Sequence, residues 1–296
     1  MFTHHLSDPQ FPTRVVLLGG NGFVGRNLSS LLTSQGCDVL PLSSRDVDLT
    51  GSAAAGVLAE IFKPDDAVVF LSCITPGRGK GVDSVIDNLF MARAVVEALG
   101  KSPCGHVVYL SSDAVYPFDN ALITEATPAA PTDLYGVMHL ARELVLKQAV
   151  KVPLAIFRST LVYGDGDPHN SYGPNRFRRA AAKDGKITLF GGGEETRDHL
   201  FVQDLARLIA SALRRRSSGV LNAASGRSIS YVDLARRVAS LFDPRAKVEL
   251  TPRHNPITHR AFDQTALHMA FPEFSFTTLE GGLPRVHREM RENAHA

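Results

Sequence analysis

Two residues with acid–base side chains stand one helical turn apart in the segment DLYGVMHLARE. They are Tyr135 and His139, and positions i and i+4 share one face of a helix. Ser112, 23 residues before the tyrosine, closes the apolar run HVVYLSS, which is typical of a buried strand. A phenol and a hydroxyl beside a hydride carrier form a workable acid–base pair, in which the tyrosine moves a proton while hydride reaches or leaves carbon.

A glycine-rich loop could bind such a carrier. The segment GGNGFVG places Gly19, Gly22 and Gly25 between the predicted strand RVVLLGG and a predicted helix that begins with Phe23 and Val24. The first glycine allows a tight turn, the second lets backbone approach a pyrophosphate, and the third lets the helix pack against the strand. Phosphates would meet free N–H groups at the helix N-terminus. We therefore predict a dinucleotide site that contains these five residues.

The turn after the next strand bears on which dinucleotide is bound. In VLPLSSRDVDL, Arg45 follows two serines before any acidic residue appears. An acidic side chain at this place binds a ribose 2'-hydroxyl, whereas an arginine accommodates a 2'-phosphate. Arg45 could equally be a solvated loop charge, and Asp46 is adjacent to it. We therefore predict NAD or NADP as the cofactor, with NADP preferred.

The elements that must position these residues alternate regularly along the chain. Strand and helix patterns follow one another as far as Gly164, and the strands are continuous apolar runs. A parallel sheet covered by helices on both faces requires such runs. We predict an α/β fold with a doubly wound parallel-sheet Rossmann domain over residues 1–165, to which residues 201–224 return. A smaller C-terminal α/β substrate lobe would occupy most of residues 166–296.

The predicted lobe carries a local excess of positive charge. Five basic residues and one acid lie between Pro174 and Lys186, and a diphosphate could use them for bidentate contacts. A solvated face of one helix explains the same composition equally well, because the basic side chains do not fall on a single stripe.

Composition limits the other partners. With 32 basic and 30 acidic residues the formal net charge is +2, so no global field would attract nucleic acid or a membrane surface. The three cysteines lack metal-ligand spacing, and we predict no metal site. The N-terminal segment lacks a secretory signal, and no apolar run reaches the roughly 18 residues of a membrane span. We expect a cytoplasmic protein.

Taken in order, these segments resemble the extended short-chain dehydrogenase/reductase family, in its NAD-dependent epimerase/dehydratase branch. The resemblance extends over nearly the whole chain and includes GGNGFVG, YLSSDAVY, YGVMH, FRSTLVYG, TRDHLFVQDLA and NAASGRSISYVDLA. It implies that Ser112 and Tyr135 are catalytic and that the substrate is a nucleotide-activated sugar. It also implies a homodimer that forms through the helices at 82–100 and 134–150.

The same resemblance implies further binding residues. Asp48 and Leu49 would flank the adenine, and Asn88 would lie near the cofactor on its helix. Arg197, in TRDHLFV, matches an arginine that contacts the substrate diphosphate in sugar-nucleotide enzymes. Arg253, in TPRHNP, is a looser match to a second such arginine.

Two of the predicted substrate residues have a structural alternative. Arg197 could form an ion pair with Asp198 or Glu195. Asp113, which follows the catalytic serine and is included in the substrate site, could simply cap the next turn. Family dehydratases follow their serine or threonine with an Asp-Glu pair, whereas Asp113 is followed by Ala114 here, and this disfavours dehydration.

One position departs from the family pattern. The residue four after the tyrosine is a lysine in the family, where it hydrogen-bonds the nicotinamide ribose and lowers the pKa of the tyrosine by its charge. Here that residue is His139, which we predict to be both cofactor-binding and catalytic. A neutral imidazole could keep the ribose contact, but with a reference pKa near 6.5 it mostly lacks positive charge at pH 7.

The missing charge bears on the direction of the reaction. A reductase needs the tyrosine to donate a proton, whereas an epimerase that first oxidises the sugar needs the phenolate. We therefore predict an NAD(P)-dependent oxidoreductase that acts on a nucleotide-activated sugar, with a reductase preferred. An NAD-dependent nucleotide-sugar C4 epimerase is the first alternative. A catalytically impaired NAD(P)-binding sensor or scaffold is the second.

Overall fold

The computed structural model describes residues 1–77, 79, 81–118, 122–168, 170, 173–253 and 256–295. Residues 169, 171 and 172, in the segment DGDPHNSYGPN that follows Gly164 and is rich in turn-forming residues, therefore lie outside the described residues. The helices are α1 (Phe23–Ser34), α2 (Ala54–Ile61), α3 (Val82–Lys101), α4 (Leu134–Ala149), α5 (Pro174–Asp184), α6 (Val202–Arg214), α7 (Tyr231–Ala239), α8 (Thr265–Ala270) and α9 (Leu279–His295). A short 3-10 helix spans Asp113–Val115.

The strands divide between one large sheet and several short pairs. They are β1 (Arg14–Leu18), β2 (Val39–Leu42), β3 (Asp66–Phe70), β4 (His106–Ser112), β5 (Leu122–Ile123), β6 (Leu154–Ser159), β7 (Leu161–Tyr163), β8 (Lys186–Phe190), β9 (Thr196–Arg197), β10 (His199–Phe201), β11 (Gly219–Ala223), β12 (Ile229–Ser230), β13 (Lys247–Thr251) and β14 (Ala261–Phe262). The short pairs are β10 with β7, β12 with β9, β13 with β8, and β14 with β5.

The large sheet has six parallel strands in the order β11-β6-β4-β3-β1-β2. Alternate residues of β1 enter different cores, because successive side chains of a strand point to opposite faces. Val15 and Leu17 pack with α1 and α6, whereas Val16 and Leu18 pack with α2, α3 and α4. Helices thus cover both faces, and the predicted doubly wound parallel-sheet fold is confirmed.

The strand order reverses between β1 and β3, and such a switch point opens a crevice at the carboxyl ends of the strands. The backbones that follow these two strands come very close together there. Gly19 has φ of +92°, and a Cβ built on it would lie 2.9 Å from the backbone nitrogen of Ser72. Only glycine suits both the left-handed conformation and the close approach.

A second core lies beyond the sheet. Side chains from α5, β8, α7 and α9 form it, including Phe177, Leu189, Leu234 and Val286. The pairing of β8 with β13 extends this lobe. The chain between these elements returns to the large sheet, where β11 pairs with β6 at the edge. The boundary at residue 165 itself stays a prediction. Among the described helices, none combines the length and apolar character needed to span a membrane.

Candidate active site

A cleft of about 1190 Å³ runs along the carboxyl edge of the sheet and continues under the lobe. It gathers most of the residues that the sequence singled out, from segments far apart in the chain. The predicted residues that line it are Gly19, Gly22, Phe23, Val24, Gly25, Arg45, Asp48, Leu49, Ser112, Asp113, Tyr135, His139 and Arg197. Asn88 and Arg253 lie outside its lining.

The glycine loop shapes one end of the cleft with backbone alone. Gly22 is the N-cap of α1 and offers no side-chain cap to the first turn of the helix. A Cβ on Gly25 would lie 2.2 Å from the carbonyl oxygen of Gly19, so a larger residue here would push the loop away from α1. The result is a close turn that ends on free helical N–H groups. This cradle fits the pyrophosphate of a dinucleotide.

The turn after β2 carries the side chains that would meet the adenosine ribose. The carboxylate of Asp46 accepts from the backbone N–H and the hydroxyl of Ser43, at 2.8 and 2.7 Å, and these bonds lower its pKa. Asp48 accepts from Thr50 in the same way, at 3.0 and 2.7 Å. Both acids are thus engaged within their own turns. Arg45 is exposed and lines the cleft.

Tyr135 reaches the cleft because α4 begins against the turn that follows Ser112. The N-cap Asp133 accepts from the N–H of Gly136 at 2.8 Å, which fixes the first turn of α4. A Cβ on Gly136 would lie 2.1 Å from the carbonyl oxygen of Ala114, so only glycine permits this packing. Burial raises the pKa of Tyr135 well above 10, and its phenol is therefore protonated at neutral pH.

The serine and the aspartate at the end of β4 have different local roles. The Ser112 hydroxyl accepts from the N–H of Ala114 at 3.2 Å and lines the cleft. The Asp113 carboxylate pairs with Arg260 at 2.8 Å, and the same guanidinium donates to the backbone oxygens of Asp113 and Tyr116, each at 2.7 Å. Arg260 also lines the cleft. Because it lies 147 residues after Asp113 in the chain, nothing in the sequence indicated that the two side chains would pair.

His139 is buried, and both of its ring nitrogens have neighbours. Nδ1 lies 2.7 Å from the hydroxyl of Tyr109, and Nε2 lies 3.8 Å from Sγ of Cys73. The ring meets that of Tyr135 edge-on, with centroids 4.6 Å apart. Burial, followed by the positive charge of Arg142, lowers the pKa of His139 well below 6.5. The imidazole is therefore neutral at pH 7.

Arg142 lies next to this group and was not among the predicted site residues. It is fully buried, with its guanidinium carbon 4.1 Å from the ring centroid of Phe70 and 5.1 Å from that of Tyr109. It donates to the backbone oxygen of Ser72 at 2.8 Å and to Oδ1 of Asn88 at 3.2 Å. A signal did exist, because Arg142 is three residues after His139 in a helix, and such positions are neighbours on its surface.

Asn88 shapes the cleft from behind. Its side chain is buried and bridges both backbone groups of Ile74, at 3.1 Å each, while it also donates to the carbonyl oxygen of Ser84 at 2.7 Å. Ile74 lines the cleft, so Asn88 holds a cleft segment in place without lining the cleft itself.

The two predicted substrate arginines have separate surroundings. Arg197 lines the cleft and donates to the carbonyl oxygen and the hydroxyl of Thr258, at 2.8 and 2.6 Å. Asp198 and Glu195, its alternative ion-pair partners, are held by other groups, including Ser225 and Arg253 respectively. The guanidinium of Arg253 also pairs with Glu194 and lies away from the cleft.

Four polar atoms at the lobe end of the cleft have no hydrogen-bond partner among the described residues. They are both ring nitrogens of His199, Oδ1 of Asn175 and the hydroxyl oxygen of Tyr163, and all three residues are buried and line the cleft. Burial, with a smaller effect of Arg197, lowers the pKa of His199 to about 3. A bound polar molecule would satisfy such groups.

The basic residues predicted to bind a diphosphate do not line this end. The helix α5 reaches the cleft with Pro174 and Asn175 at its start, and none of the five basic side chains from Arg176 to Lys186 belongs to the lining. Lys186 instead pairs with Glu249 across β8 and β13, at 2.9 Å. Lys183 and Lys186 are exposed, as a solvated face requires, whereas Arg176, Arg178 and Arg179 are half-buried outside the lining, so neither alternative describes all five residues.

Comparison with known proteins gives one family. The model of the NAD dependent epimerase/dehydratase family matches residues 15–224. A dTDP-L-rhamnose 4-epimerase from Burkholderia thailandensis is 34% identical over 148 residues, which are 47% of this chain and 41% of that protein. A GDP-L-fucose synthase from Sinorhizobium fredii is 26% identical over 255 residues, which are 76% of this chain and 78% of that protein.

Solved structures share the whole fold at lower identity. MoeE5 in complex with UDP-glucose and NAD superimposes with a TM-score of 0.82 at 21% identity, covering 95% of this chain and 99% of the other. A GDP-L-fucose synthetase from Naegleria fowleri bound to NADP gives a TM-score of 0.83 at 17% identity, covering 98% of both chains.

Proposed function

The chain belongs to the NAD dependent epimerase/dehydratase family, and we propose that it reduces a keto carbon of a nucleotide-activated sugar with a nicotinamide cofactor. The observation that carries this proposal is the placement of Tyr135, which lines one cleft with Ser112 and His139. Burial raises the pKa of its phenol further above the ordinary value and lowers the pKa of His139, so the phenol is protonated and the imidazole is neutral at pH 7. A protonated phenol is ready to donate, which is what reduction of a carbonyl requires.

Each of the three side chains has a distinct task in this scheme. The cofactor, when bound, supplies hydride to the keto carbon. Tyr135 gives its phenolic proton to the oxygen that becomes a hydroxyl, and the hydroxyl of Ser112 orients that oxygen by a hydrogen bond. His139 donates a hydrogen bond to the nicotinamide ribose. All three residues line one cleft, which supports a shared task of the proton donor and the orienting hydroxyl on one substrate oxygen.

The cofactor that we propose is NADP in preference to NAD. The cradle around Gly19 and Gly25 suits the pyrophosphate of either molecule. At the adenosine end, the carboxylates of Asp46 and Asp48 accept hydrogen bonds within their own turns, one of them from the Ser43 hydroxyl. The exposed Arg45 and Ser44 line the cleft beside Asp48. A guanidinium and hydroxyls favour a 2'-phosphate, whereas NAD is read by an acidic side chain.

The substrate that we propose is a nucleotide sugar, seated under the lobe. Arg197 offers a guanidinium to a diphosphate, and the unpartnered groups of His199, Asn175 and Tyr163 offer further hydrogen bonds. The relatives and neighbours named above act on or bind dTDP-, GDP- and UDP-linked sugars, which supports this class without choosing a nucleotide.

A homodimer is a further part of this proposal. Large apolar side chains on α3 and α4 are exposed, among them Ile86 and Phe90 on α3 and Val137 and Leu144 on α4. These two helices pack against each other, and a second copy could cover the apolar side chains that both leave exposed. Sedimentation velocity should show a dimer that Phe90→Glu converts to monomer, while Val57→Glu on α2 does not. A parent protein that sediments as a monomer would refute the dimer.

Two observations favour the alternatives. The similarity to a 4-epimerase and to MoeE5 bound to NAD supports an epimerase that oxidises and re-reduces the sugar on one cofactor. The neutral, buried His139 supports a sensor that binds the cofactor without turnover.

The deciding experiment is incubation with NADPH and a panel of keto nucleotide sugars while cofactor absorbance is followed. We expect NADPH to be oxidised in a 1:1 ratio to the sugar that is reduced. In Tyr135→Phe the rate of this oxidation should fall by about 10²- to 10⁴-fold. Interconversion of sugar epimers without net change in absorbance would establish the epimerase instead. Tight NADPH binding without conversion of any sugar would establish the sensor.

A further inference from the structure

The buried guanidinium of Arg142 lacks an acidic partner among the described residues. Its hydrogen bonds go to the backbone oxygen of Ser72, to the amide oxygen of Asn88 and, weakly, to Sδ of Met138 at 3.9 Å, and it also interacts with the thiol of Cys73. Its faces lie against the rings of Phe70 and Tyr109. Nε of Arg142 has no hydrogen-bond partner among the described residues, and the neutral dipoles and aromatic rings around the other nitrogens do not cancel the charge. The positive field of Arg142 is therefore felt by the groups around it.

The hydrogen bond between Tyr109 and His139 fixes where the imidazole carries its proton. Tyr109 is buried on β4, and burial raises the pKa of its phenol, so the hydroxyl is a donor at neutral pH. Its described hydrogen bond is the one to Nδ1 of His139, at 2.7 Å. If Nδ1 accepts, a neutral imidazole must carry its hydrogen on Nε2. Nε2 then becomes a donor; its described neighbour is Sγ of Cys73, at 3.8 Å, and both His139 and Cys73 line the cleft.

We propose, on the basis of the cofactor site and reaction proposed above, that Tyr109 and Arg142 are positioning residues for this reaction. Tyr109 holds His139 in its Nε2–H form, so that the imidazole donates to a hydroxyl of the bound cofactor. Arg142 supplies the fixed positive charge that His139 cannot, and this charge stabilises the phenolate left on Tyr135 after it has given its proton. Orientation and charge thus come from two different side chains.

The surroundings of Tyr135 support this division. The titratable and charged groups that act on its phenol are Cys73, Tyr109, Asp113, His139 and Arg142. Burial raises the pKa of Tyr135 most, and Cys73, Tyr109 and Asp113 raise it further, whereas Arg142 lowers it. The negative charge of Asp113 is itself countered by Arg260. Arg142 is therefore the cation that favours the phenolate from within the helix that carries the tyrosine.

The charge of Arg142 is testable without turnover. Tyr135 is replaced by 3,5-difluorotyrosine, an analogue that ionises at lower pH, and its ionisation is followed by ¹⁹F NMR in the full-length protein. Arg142→Met and Arg142→Gln should each raise the midpoint by about one pH unit or more, the usual effect of a nearby charge. Arg142→Lys, which keeps the charge, should leave the midpoint within a few tenths of a unit. Equal midpoints in all four proteins would overturn the proposal.

Gln and Met serve different purposes in that series. Glutamine keeps an amide donor for Ser72 and Asn88, so its effect separates loss of charge from loss of the hydrogen bonds. An exposed cation on the neighbouring helix, Arg93, provides the distant control, and Arg93→Met should not move the midpoint because solvent screens its charge.

The tautomer is tested by a second measurement that does not depend on Arg142. In ¹⁵N-histidine-labelled protein, the His139 signals are assigned by their loss in His139→Gln. They should show Nε2–H and bare Nδ1 near pH 7, and Tyr109→Phe should shift them toward a mixture of both neutral forms. Tyr109→Phe should also weaken NADPH binding by roughly 3- to 10-fold, the loss of part of one hydrogen bond. An Nδ1–H signal in the parent protein would overturn the role of Tyr109.

These readouts separate the positioning roles from the proposed reaction. Both NMR results could stand in a protein that reduces no sugar, in which case only the reductase proposal fails. If NADPH is oxidised by a keto sugar but neither the midpoint nor the tautomer responds to the variants, the reductase proposal stands and the positioning roles are refuted.

Discussion

Arg142 and Glu143 are consecutive residues of α4 that carry opposite charges, and both are completely buried. They differ in the partners that surround each charge. Glu143 is surrounded by cations and donors. Arg158 on β6 gives it two bonds, at 3.0 and 2.8 Å, Ser111 on β4 gives one at 2.7 Å, and Lys147 adds a fourth at 3.1 Å. Arg142, in contrast, meets only neutral groups among the described residues.

The strand β4 supplies a neighbour to each of these two residues. Tyr109 and Ser111 are two residues apart on β4, and residues at this spacing share one face of a strand. Tyr109 lies against Arg142 and His139, whereas Ser111, which itself lines the cleft, donates to the carboxylate of Glu143. The field of a paired charge is cancelled by its partner, and the ion pair of Glu143 with Arg158 connects α4 to the sheet. An unpaired charge fastens less but projects its field to Tyr135, and this contrast between a structural and a functional charge can be tested.

The largest effect on stability is expected from the paired side. Glu143→Gln would leave the buried guanidinium of Arg158, with 6% of its side chain exposed, without its counter-ion. Removing one partner of a buried ion pair costs about 3–5 kcal/mol in the free energy of unfolding. Urea denaturation measures this cost. The matched control is Glu97→Gln, which breaks an exposed pair with Arg93 on α3 and should change the free energy by no more than about 0.5 kcal/mol.

If Glu143→Gln lowers the free energy of unfolding as little as Glu97→Gln does, the contrast between the paired charge of Glu143 and the unpaired charge of Arg142 is refuted. Such a result would mean that water or a relaxed side chain satisfies Arg158, and the network would then be no more structural than a surface pair.

The unpaired side should respond less in stability. Arg142→Met replaces a desolvated charge by an apolar side chain of similar length, so the lost hydrogen bonds and ring contacts are offset by relief of the desolvation cost. We expect the free energy of unfolding to fall by about 1–2 kcal/mol at most, in the same urea experiment. A loss as large as that of Glu143→Gln would mean that Arg142 mainly stabilises the fold through its hydrogen bonds to Ser72 and Asn88.

The cleft residues that could be predicted from sequence are those whose role follows from local backbone demands. Gly19, Gly22 and Gly25 stand in one loop, and the close contacts that a Cβ would make there are set within that loop or with the neighbouring strand. Ser112 and Tyr135 were accessible for a related reason, because a strand end and a helix start at the carboxyl edge of a parallel sheet meet in one crevice.

The unpredicted residues depend on contacts between distant segments. Tyr109 and His139 are 30 residues apart, and Asp113 and Arg260 are 147 apart. Sequence also does not tell whether a charged side chain finds a partner. Arg253 was predicted to meet a substrate, yet it pairs with Glu194 and Glu195, whereas Arg142 is buried and contacts no acidic side chain in the part of the chain that the structure describes.

As the pH falls, the stabilising contributions of His139 and Glu143 should be lost in separate pH ranges. Burial and then Arg142 lower the pKa of His139, so its stabilising contribution is complete above the unfolded value of about 6.5 and is lost as pH falls below it. For Glu143, burial opposes the charge, but Arg158 and Ser111 outweigh it and lower the pKa. Its contribution is complete above the unfolded value of about 4.3 and is lost as pH falls through the folded value.

Urea denaturation at a series of pH values measures both contributions by comparison with variants. His139→Gln should flatten the loss of stability between about pH 6.5 and 5, where one proton is worth up to about 1.4 kcal/mol per pH unit. Glu143→Gln should flatten it only below about pH 4.3. His106 and His199 are also buried with lowered pKa values, and their effect cancels because each variant retains them. Flattening by both variants over the same pH range would contradict the separation.

The smallest effect is expected where the paired network reaches solvent. Lys147 is 40% exposed and contacts Glu143 at 3.1 Å, one turn away on the same helix. Because Arg158 and Ser111 already occupy both carboxylate oxygens, Lys147→Gln removes only a screened contribution, worth about 0.3–0.5 kcal/mol for such a pair. Urea denaturation at low and high salt should give nearly equal values for the variant. A loss above about 1 kcal/mol would mean that Glu143 needs both cations, and that its charge is not fully cancelled by Arg158.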